Sequence, residues 1–96
     1  MMKEEVLQFL ISHKKSFFES FRITKLGLFG SLARSEKAND IDIILDFETG
    51  TDDLFEKKFR IKNLLEKKFN MPVDICREKF IKSSVRELIL KDAIFV

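Results

Sequence analysis

Apolar residues recur at helical spacing from the start of the chain. Val6, Leu7, Leu10, Ile11, Phe17 and Phe18 form one stripe, which predicts a helix over 2–19. RITKLGLFG (22–30) then reads as a strand that becomes buried toward its end. SLARS (31–35) fits a single helical turn with Ser31 as N-cap. DIDIILDF (40–47) carries the clearest strand signal, with Ile41 and Ile43 on one face and Asp40 and Asp42 on the other. After a turn at 49–53, Asp53 and Glu56 resemble a capping box. The helix they open runs to Phe69, with Phe55, Phe59, Ile61, Leu64, Leu65 and Phe69 on its apolar side, and Asn70 and Pro72 stop it. PVDIC (72–76) predicts a short strand. Residues 78–91 predict a last helix, with Ile81, Val85, Leu88 and Ile89 facing inward, and 93–96 a closing strand. The order α-β-α-β-α-β-α implies an α/β sandwich in which helices cover a small sheet.

Composition sharpens this picture. A chain of 96 residues is expected to form one domain over 1–96. Eleven phenylalanines with no Trp or Tyr suggest an apolar core rather than a base-stacking platform. Charged residues make up 35% of the chain, yet the net charge is only +2. Acids and bases interleave at i,i+4 (Asp53–Lys57, Glu56–Arg60, Glu78–Lys82, Glu87–Lys91), as on solvated helix faces. Only Lys57-Lys58 and Lys67-Lys68 leave a weak basic patch, so direct nucleic-acid binding is not expected. One cysteine cannot close an internal disulfide, and no signal peptide or spanning segment is visible. The expected location is the cytoplasm, with no membrane contact. His13 is a lone histidine on a helix and reads as structural or solvated.

The chemistry-bearing residues lie elsewhere. Two same-face carboxylates on a buried strand, Asp40 and Asp42, sit about 6–7 Å apart along that face. Their repulsion is relieved by a divalent cation, and hard oxygen donors suit Mg²⁺; a wet edge strand is the plainer reading of the pair alone. Gly30-Ser31 sits where a strand passes into a helical turn. Gly permits close backbone approach, and the free N–H groups of the turn can seat phosphate. Asp74, between Val73 and Ile75, repeats the pattern of Asp42 between Ile41 and Ile43. If the two strands are neighbours, Asp74 joins the same site. Three carboxylates could then hold two Mg²⁺ about 3.5–4 Å apart, a spacing suited to in-line displacement at phosphorus. Cys76 shares Asp74's face and reads as a packing residue.

LFGSLARSEKANDIDIILDF (28–47) resembles the signature of the DNA polymerase β-like nucleotidyltransferase superfamily, hydrophobic-Gly-Ser followed by Asp-hydrophobic-Asp. Its Ala-Arg after Gly-Ser, the small size and the later Pro-Val-Asp-Ile are similar to the minimal nucleotidyltransferase group, the antitoxin half of HEPN/MNT toxin–antitoxin pairs. The resemblance implies a polymerase β palm-like fold with a mixed sheet. It implies that Gly30 and Ser31 seat the phosphates of ATP, and that Asp40, Asp42 and Asp74 hold Mg²⁺ and act in catalysis. It also implies transfer of AMP to a tyrosine hydroxyl of a HEPN-type toxin. Arg34 matches the family's Arg and is a candidate phosphate or acceptor ligand; Lys37 is a weaker one. The family commonly has Gly where this chain has Ser35, and the Ser31–Asp40 loop is about two residues shorter than usual. A left-handed backbone at Ser35 would cost roughly 1 kcal/mol.

Two other functions fit the same residues. One is an antitoxin that acts by binding alone. The other is a nucleotidyltransferase for a small molecule, for which a homodimer could build the missing pocket. A polymerase is disfavoured for want of basic surface and a template-binding domain.

Overall fold

The computed structural model describes residues 2–96. Helix α1 spans Met2–Phe21 and leads into strand β1, Ile23–Phe29. A short helix α2, Gly30–Ala33, connects β1 to β2, Ile41–Phe47. Helix α3, Leu54–Phe69, returns the chain to β3, Val73–Arg77. A 3₁₀ turn, Glu78–Phe80, precedes helix α4, Ser83–Asp92, and strand β4, Ile94–Phe95. The sheet order is β3-β2-β1-β4. β1 runs antiparallel to β2 and β4, whereas β2 and β3 are parallel. The α3 crossover supplies the length that a parallel pair needs. The sheet is therefore mixed, as expected.

One sheet face builds the core. Leu26 and Leu28 of β1, Ile41, Ile43 and Leu45 of β2 and Val73 of β3 pack with Val6, Leu10, Phe17 and Phe21 of α1 and Ile61 and Leu65 of α3. A bulge in β1 keeps this face apolar: Ile23 pairs with Phe47, and Lys25 with Asp46. The extra residue restores the period-2 pattern that ITKL would otherwise break. Gly27 admits β4 from the side, because a Cβ there would stand 2.8 Å from the Ile94 carbonyl oxygen.

Several sequence expectations fail in instructive ways. On α3, only Ile61 and Leu65 are buried; Phe55, Phe59 and Leu64 are exposed. The stripe facing the sheet is narrower than the apolar pattern suggested. Ile11 of α1 is likewise exposed. The helix read over 78–91 is split into the 3₁₀ turn and α4, and α4 buries no residue; Val85 and Leu88 face outward. Phenylalanine is not uniformly core: Phe17, Phe21 and Phe47 are buried, while Phe55, Phe59, Phe80 and Phe95 are exposed. No capping box forms, since Asp53 adopts a left-handed backbone and makes no side-chain cap. Nor do the i,i+4 pairs carry the ion pairing. Glu78 binds Lys25 (2.8 Å) and Arg86 (3.0 Å) rather than Lys82, and the Lys57 ammonium donates to the Asp52 carbonyl. No helix among the described residues is long and apolar enough to cross a membrane.

Candidate active site

Asp42 is the second residue of β2, on the face opposite the core, and Asp40 lies just before the strand. The parallel register sets Asp42 beside Asp74 of β3. Three residues far apart in sequence thereby converge: carboxylate oxygens of Asp40, Asp42 and Asp74 all lie within 4.8 Å of one another. Asp40 and Asp42 are half-buried and Asp74 is exposed, so the cluster opens to solvent on one side. Burial, reinforced by the charges of Asp40 and Asp74, raises the pKa of Asp42, while Arg34 opposes the shift. An arrangement that disfavours its own charge is what a cation would relieve. All donors are hard oxygens, with no sulfur or imidazole among them, which fits Mg²⁺ better than a softer metal.

Gly30 borders this cluster. It adopts φ +75°, and a Cβ there would collide with the Asp42 carboxylate. Glycine is therefore demanded twice, by backbone conformation and by the space above the acid. The next residue corrects an expectation. Phe29 is the N-cap of α2, no side chain caps it, and Ser31 lies within the helix. The Ser31 hydroxyl instead accepts a long contact, 3.4 Å, from Arg34 Nη2.

Arg34 is held by carboxylates on both sides. Its Nε lies 3.2 Å from Glu36 and its Nη1 3.4 Å from Asp92 at the end of α4. Those two acids raise its pKa, Glu36 most. Ser35 takes the left-handed conformation, φ 62°. The Ser35 N–H donates to Leu32 O and the Glu36 N–H to Ser31 O, the paired bonds of a Schellman ending. The position that favours glycine thus carries serine, whose hydroxyl accepts from Lys3 Nζ at 3.1 Å. Lys37 is not in the aspartate cluster; it lines a separate cavity with Met2, Lys3 and Met71. Burial pushes the Cys76 thiol pKa up, consistent with a packing role. His13 stacks on Phe9 and its Nδ1 lies 2.9 Å from the Phe9 carbonyl oxygen, a local structural contact.

Sequence reasoning missed Asp92 and Asp46. Asp92 meets Arg34 only through the packing of α4 near α2, which no local pattern reports. Asp46 shares the face of Asp42 but accepts from Arg77 at 2.8 and 3.0 Å and from the Lys79 N–H at 2.9 Å. Its signal was present, as a third carboxylate on the same strand face, four residues after Asp42.

A small mixed sheet that lines up an Asp-x-Asp pair with a third Asp, next to a glycine-led helical turn, defines the nucleotidyltransferase class. The chain belongs to the nucleotidyltransferase domain family, which matches residues 10–96. It is 32% identical over 95 residues to the protein adenylyltransferase MntA of Thermococcus cleftensis, covering 97% of this chain and 94% of that one. A Methanocaldococcus jannaschii protein provisionally named protein adenylyltransferase MJ1379 is also 32% identical, over 96% of this chain and 95% of that one. Among solved structures, a provisionally described minimal nucleotidyltransferase superposes with a TM-score of 0.66 at 29% identity, over 97% of this chain and 87% of that one. A mutant of the MntA–HpeT toxin–antitoxin shares the fold, with a TM-score of 0.63 at 12% identity, covering 97% of this chain and 70% of that chain.

Proposed function

We propose that this chain is a Mg²⁺-dependent protein adenylyltransferase that moves AMP from ATP to a tyrosine hydroxyl of a HEPN-type toxin and so acts as its antitoxin. The observation that carries the reading is the convergence of Asp40, Asp42 and Asp74 within 4.8 Å beside Gly30. The names of its relatives support protein adenylylation as the reaction.

Asp40, Asp42 and Asp74 would hold the metal, two ions in the fullest form of the site. Bound Mg²⁺ supplies charge stabilisation at the phosphate oxygens and lowers the pKa of the attacking hydroxyl. Gly30 and Ser31 leave backbone N–H groups and an open surface for the triphosphate. Arg34, already beside Ser31, offers a guanidinium that can exchange Glu36 or Asp92 for a phosphate oxygen. Asp74, the most exposed of the three acids, faces the side from which an acceptor arrives and takes up the hydroxyl proton. The acceptor oxygen bonds to the α-phosphorus, the bond from that phosphorus to the bridging oxygen breaks, and pyrophosphate leaves with the electron pair. The chain's own contribution is mostly alignment of the two reactants.

The test is mass spectrometry of a HEPN-type protein encoded beside this one, after incubation with ATP and Mg²⁺. It should gain one or more AMP masses with the intact chain and none with Asp40→Asn, Asp42→Asn or Asp74→Asn. If the partner co-purifies yet stays unmodified, and the Asp74→Asn chain protects cells as well as the native one, neutralisation by binding alone replaces this reading. If no partner binds, a small-molecule acceptor does.

A further inference from the structure

Helix α3 turns two phenylalanines toward solvent, Phe55 at 85% exposure and Phe59 at 54%. They do not stand alone. With Lys58 and Lys62 they form one wall of a groove of about 280 Å³, whose other wall is Val73, Asp74 and Ile75 of β3. β3 is the outermost strand, paired with β2 on one side only. The groove therefore combines a strand edge that no other strand covers, although its Val73 N–H already donates to Glu66 Oε2 at 2.9 Å, with an aromatic ridge, two cationic side chains and, on the strand side, an acid of the proposed metal cluster.

We propose that this groove docks an extended, acidic segment of the acceptor protein, which adds to the edge of β3 and delivers its hydroxyl residue beside Asp74. The proposal rests on the adenylyl-transfer reading for the identity of the acceptor but not for the groove. Four features select the occupant. An open strand edge is satisfied by another backbone in extended form. The ridge from Phe55 to Lys62 spans seven helical steps, about 10 Å, which matches about three residues of extended chain. Lys58 and Lys62 have no ion-pair partner among the described residues and outnumber Asp74, the one acid in the lining, so the groove presents net positive charge to an anionic segment. Exposed phenylalanines beside that charge give an incoming apolar side chain a place to bury. Single-stranded nucleic acid could also use Phe and Lys, but it cannot pair with a strand edge, and the net charge of only +2 gives it little attraction.

The probe is a short acetylated and amidated peptide, Asp-Phe-Glu-Tyr-Asp-Val, alongside a counterpart with lysine in place of each acid. Amide chemical shifts in the ¹⁵N spectrum should move at Lys58, Phe59, Lys62, Val73 and Ile75 with the acidic peptide only. Phe59→Glu should weaken binding at least about tenfold. The Lys58→Glu/Lys62→Glu chain should prefer the lysine peptide. Phe59 is exposed, and Lys58 and Lys62 make no ion pair among the described residues, so these variants should melt with the native chain and keep its response to Mg²⁺ and ATP. The proposal is overturned if the shifts fall on α4 or β4, or if charge reversal leaves the preference intact. It is equally overturned if oligouridylate displaces the peptide, or if sedimentation shows the groove closing a dimer of this chain that Phe59→Glu dissociates. The two readings separate cleanly. A HEPN-type partner that gains AMP equally from native, Phe59→Glu and charge-reversed chains sinks the docking site and leaves the transfer. Groove binding with no AMP transfer to any protein does the opposite.

Discussion

Single residues at the site work against the stability of the fold, and each gives a measurable consequence. Asp42 has a raised pKa because burial and two neighbouring acids disfavour its charge. Without metal, its ionised form therefore weakens the folded state at neutral pH. That penalty lifts as pH falls through the raised value toward the ordinary carboxylate range. Asp42→Asn in EDTA should melt higher than the native chain at neutral pH, with the gap closing in acid, while transfer is abolished. A lower melting temperature, or retained transfer, would contradict the assignment. Ser35 is the second case. Its φ of 62° sits where the Schellman ending prefers glycine. Ser35→Gly relieves about 1 kcal/mol of backbone strain but adds chain entropy to the unfolded state and loses the exposed Lys3 contact. The expected net gain is about 0.5 kcal/mol, a rise of roughly 2–4 °C for a chain of this size in a thermal melt. Gly30→Ala should fail in both respects, because its Cβ meets the Asp42 carboxylate and its φ is +75°. The three acids that converge were legible in sequence because a strand has period 2: Asp40 and Asp42, and the Asp74 repeat of that pattern, pointed to one cluster, and their role as metal ligands is the one proposed above. The Ser31 cap was not, because the N-cap of α2 is Phe29, two residues earlier than the Ser suggests.

At the scale of elements, β2 is the scaffold of the molecule, and it anchors something at each end. At its start it presents the aspartates. Near its other end, Asp46 accepts two hydrogen bonds from Arg77 and one from the Lys79 N–H, while the Arg77 guanidinium lies over Phe47 and Phe80. This clasp fixes the 3₁₀ turn and thereby the start of α4, which buries no residue of its own. The Arg77 pairing and the backbone donors hold the Asp46 pKa low against its burial. Its stabilisation is thus present above the ordinary carboxylate range and is lost as pH falls through the depressed value. Asp46→Ala should cost about 3 kcal/mol, since it leaves Arg77 without its partner in a site where both side chains are only 13% exposed. The variant's acid limb should also flatten, which a melt series from neutral to acid pH would show. Five elements could be read from hydrophobic period alone: α1, β1, β2, α3 and β3. After β3 the closing strand expected at 93–96 stands as β4, but the helix expected over 78–91 is split and its apolar side is not buried. Ile81, Val85, Leu88 and Ile89 have helical spacing, but α4 is tied down by ion pairs to other elements, Arg34–Asp92 and Arg86–Glu78, rather than by an apolar stripe. Periodicity reports burial, and α4 has little to report.

For the whole molecule, the main consequence is that nucleotide should stabilise it strongly only when the metal is present. Asp40, Asp42 and Asp74 gather three negative groups within 4.8 Å, and a triphosphate would bring several more to the same place. Without a cation, that approach is repelled at short range, where solvent screening is weakest. Arg34 offers limited relief, because Glu36 and Asp92 already occupy it. With Mg²⁺ present, the same acids become ligands and the repulsion turns to attraction. A ligand that binds only the folded chain stabilises it by about 2.7 kcal/mol at a hundredfold excess over its Kd. For a protein of this size that corresponds to roughly 10–20 °C in melting temperature. A thermal melt with ATP and Mg²⁺ should therefore show a large shift, and ATP with EDTA a much smaller one. Mg²⁺ alone should give a partial shift that disappears in Asp42→Asn. Raising the salt concentration should leave the shift from Mg²⁺ and ATP largely intact, because two of the three carboxylates, Asp40 and Asp42, are half-buried, whereas a surface-only association would fade. Equal shifts with and without the metal would place the nucleotide away from the three aspartates, and the site would then have to be sought on another face of the sheet.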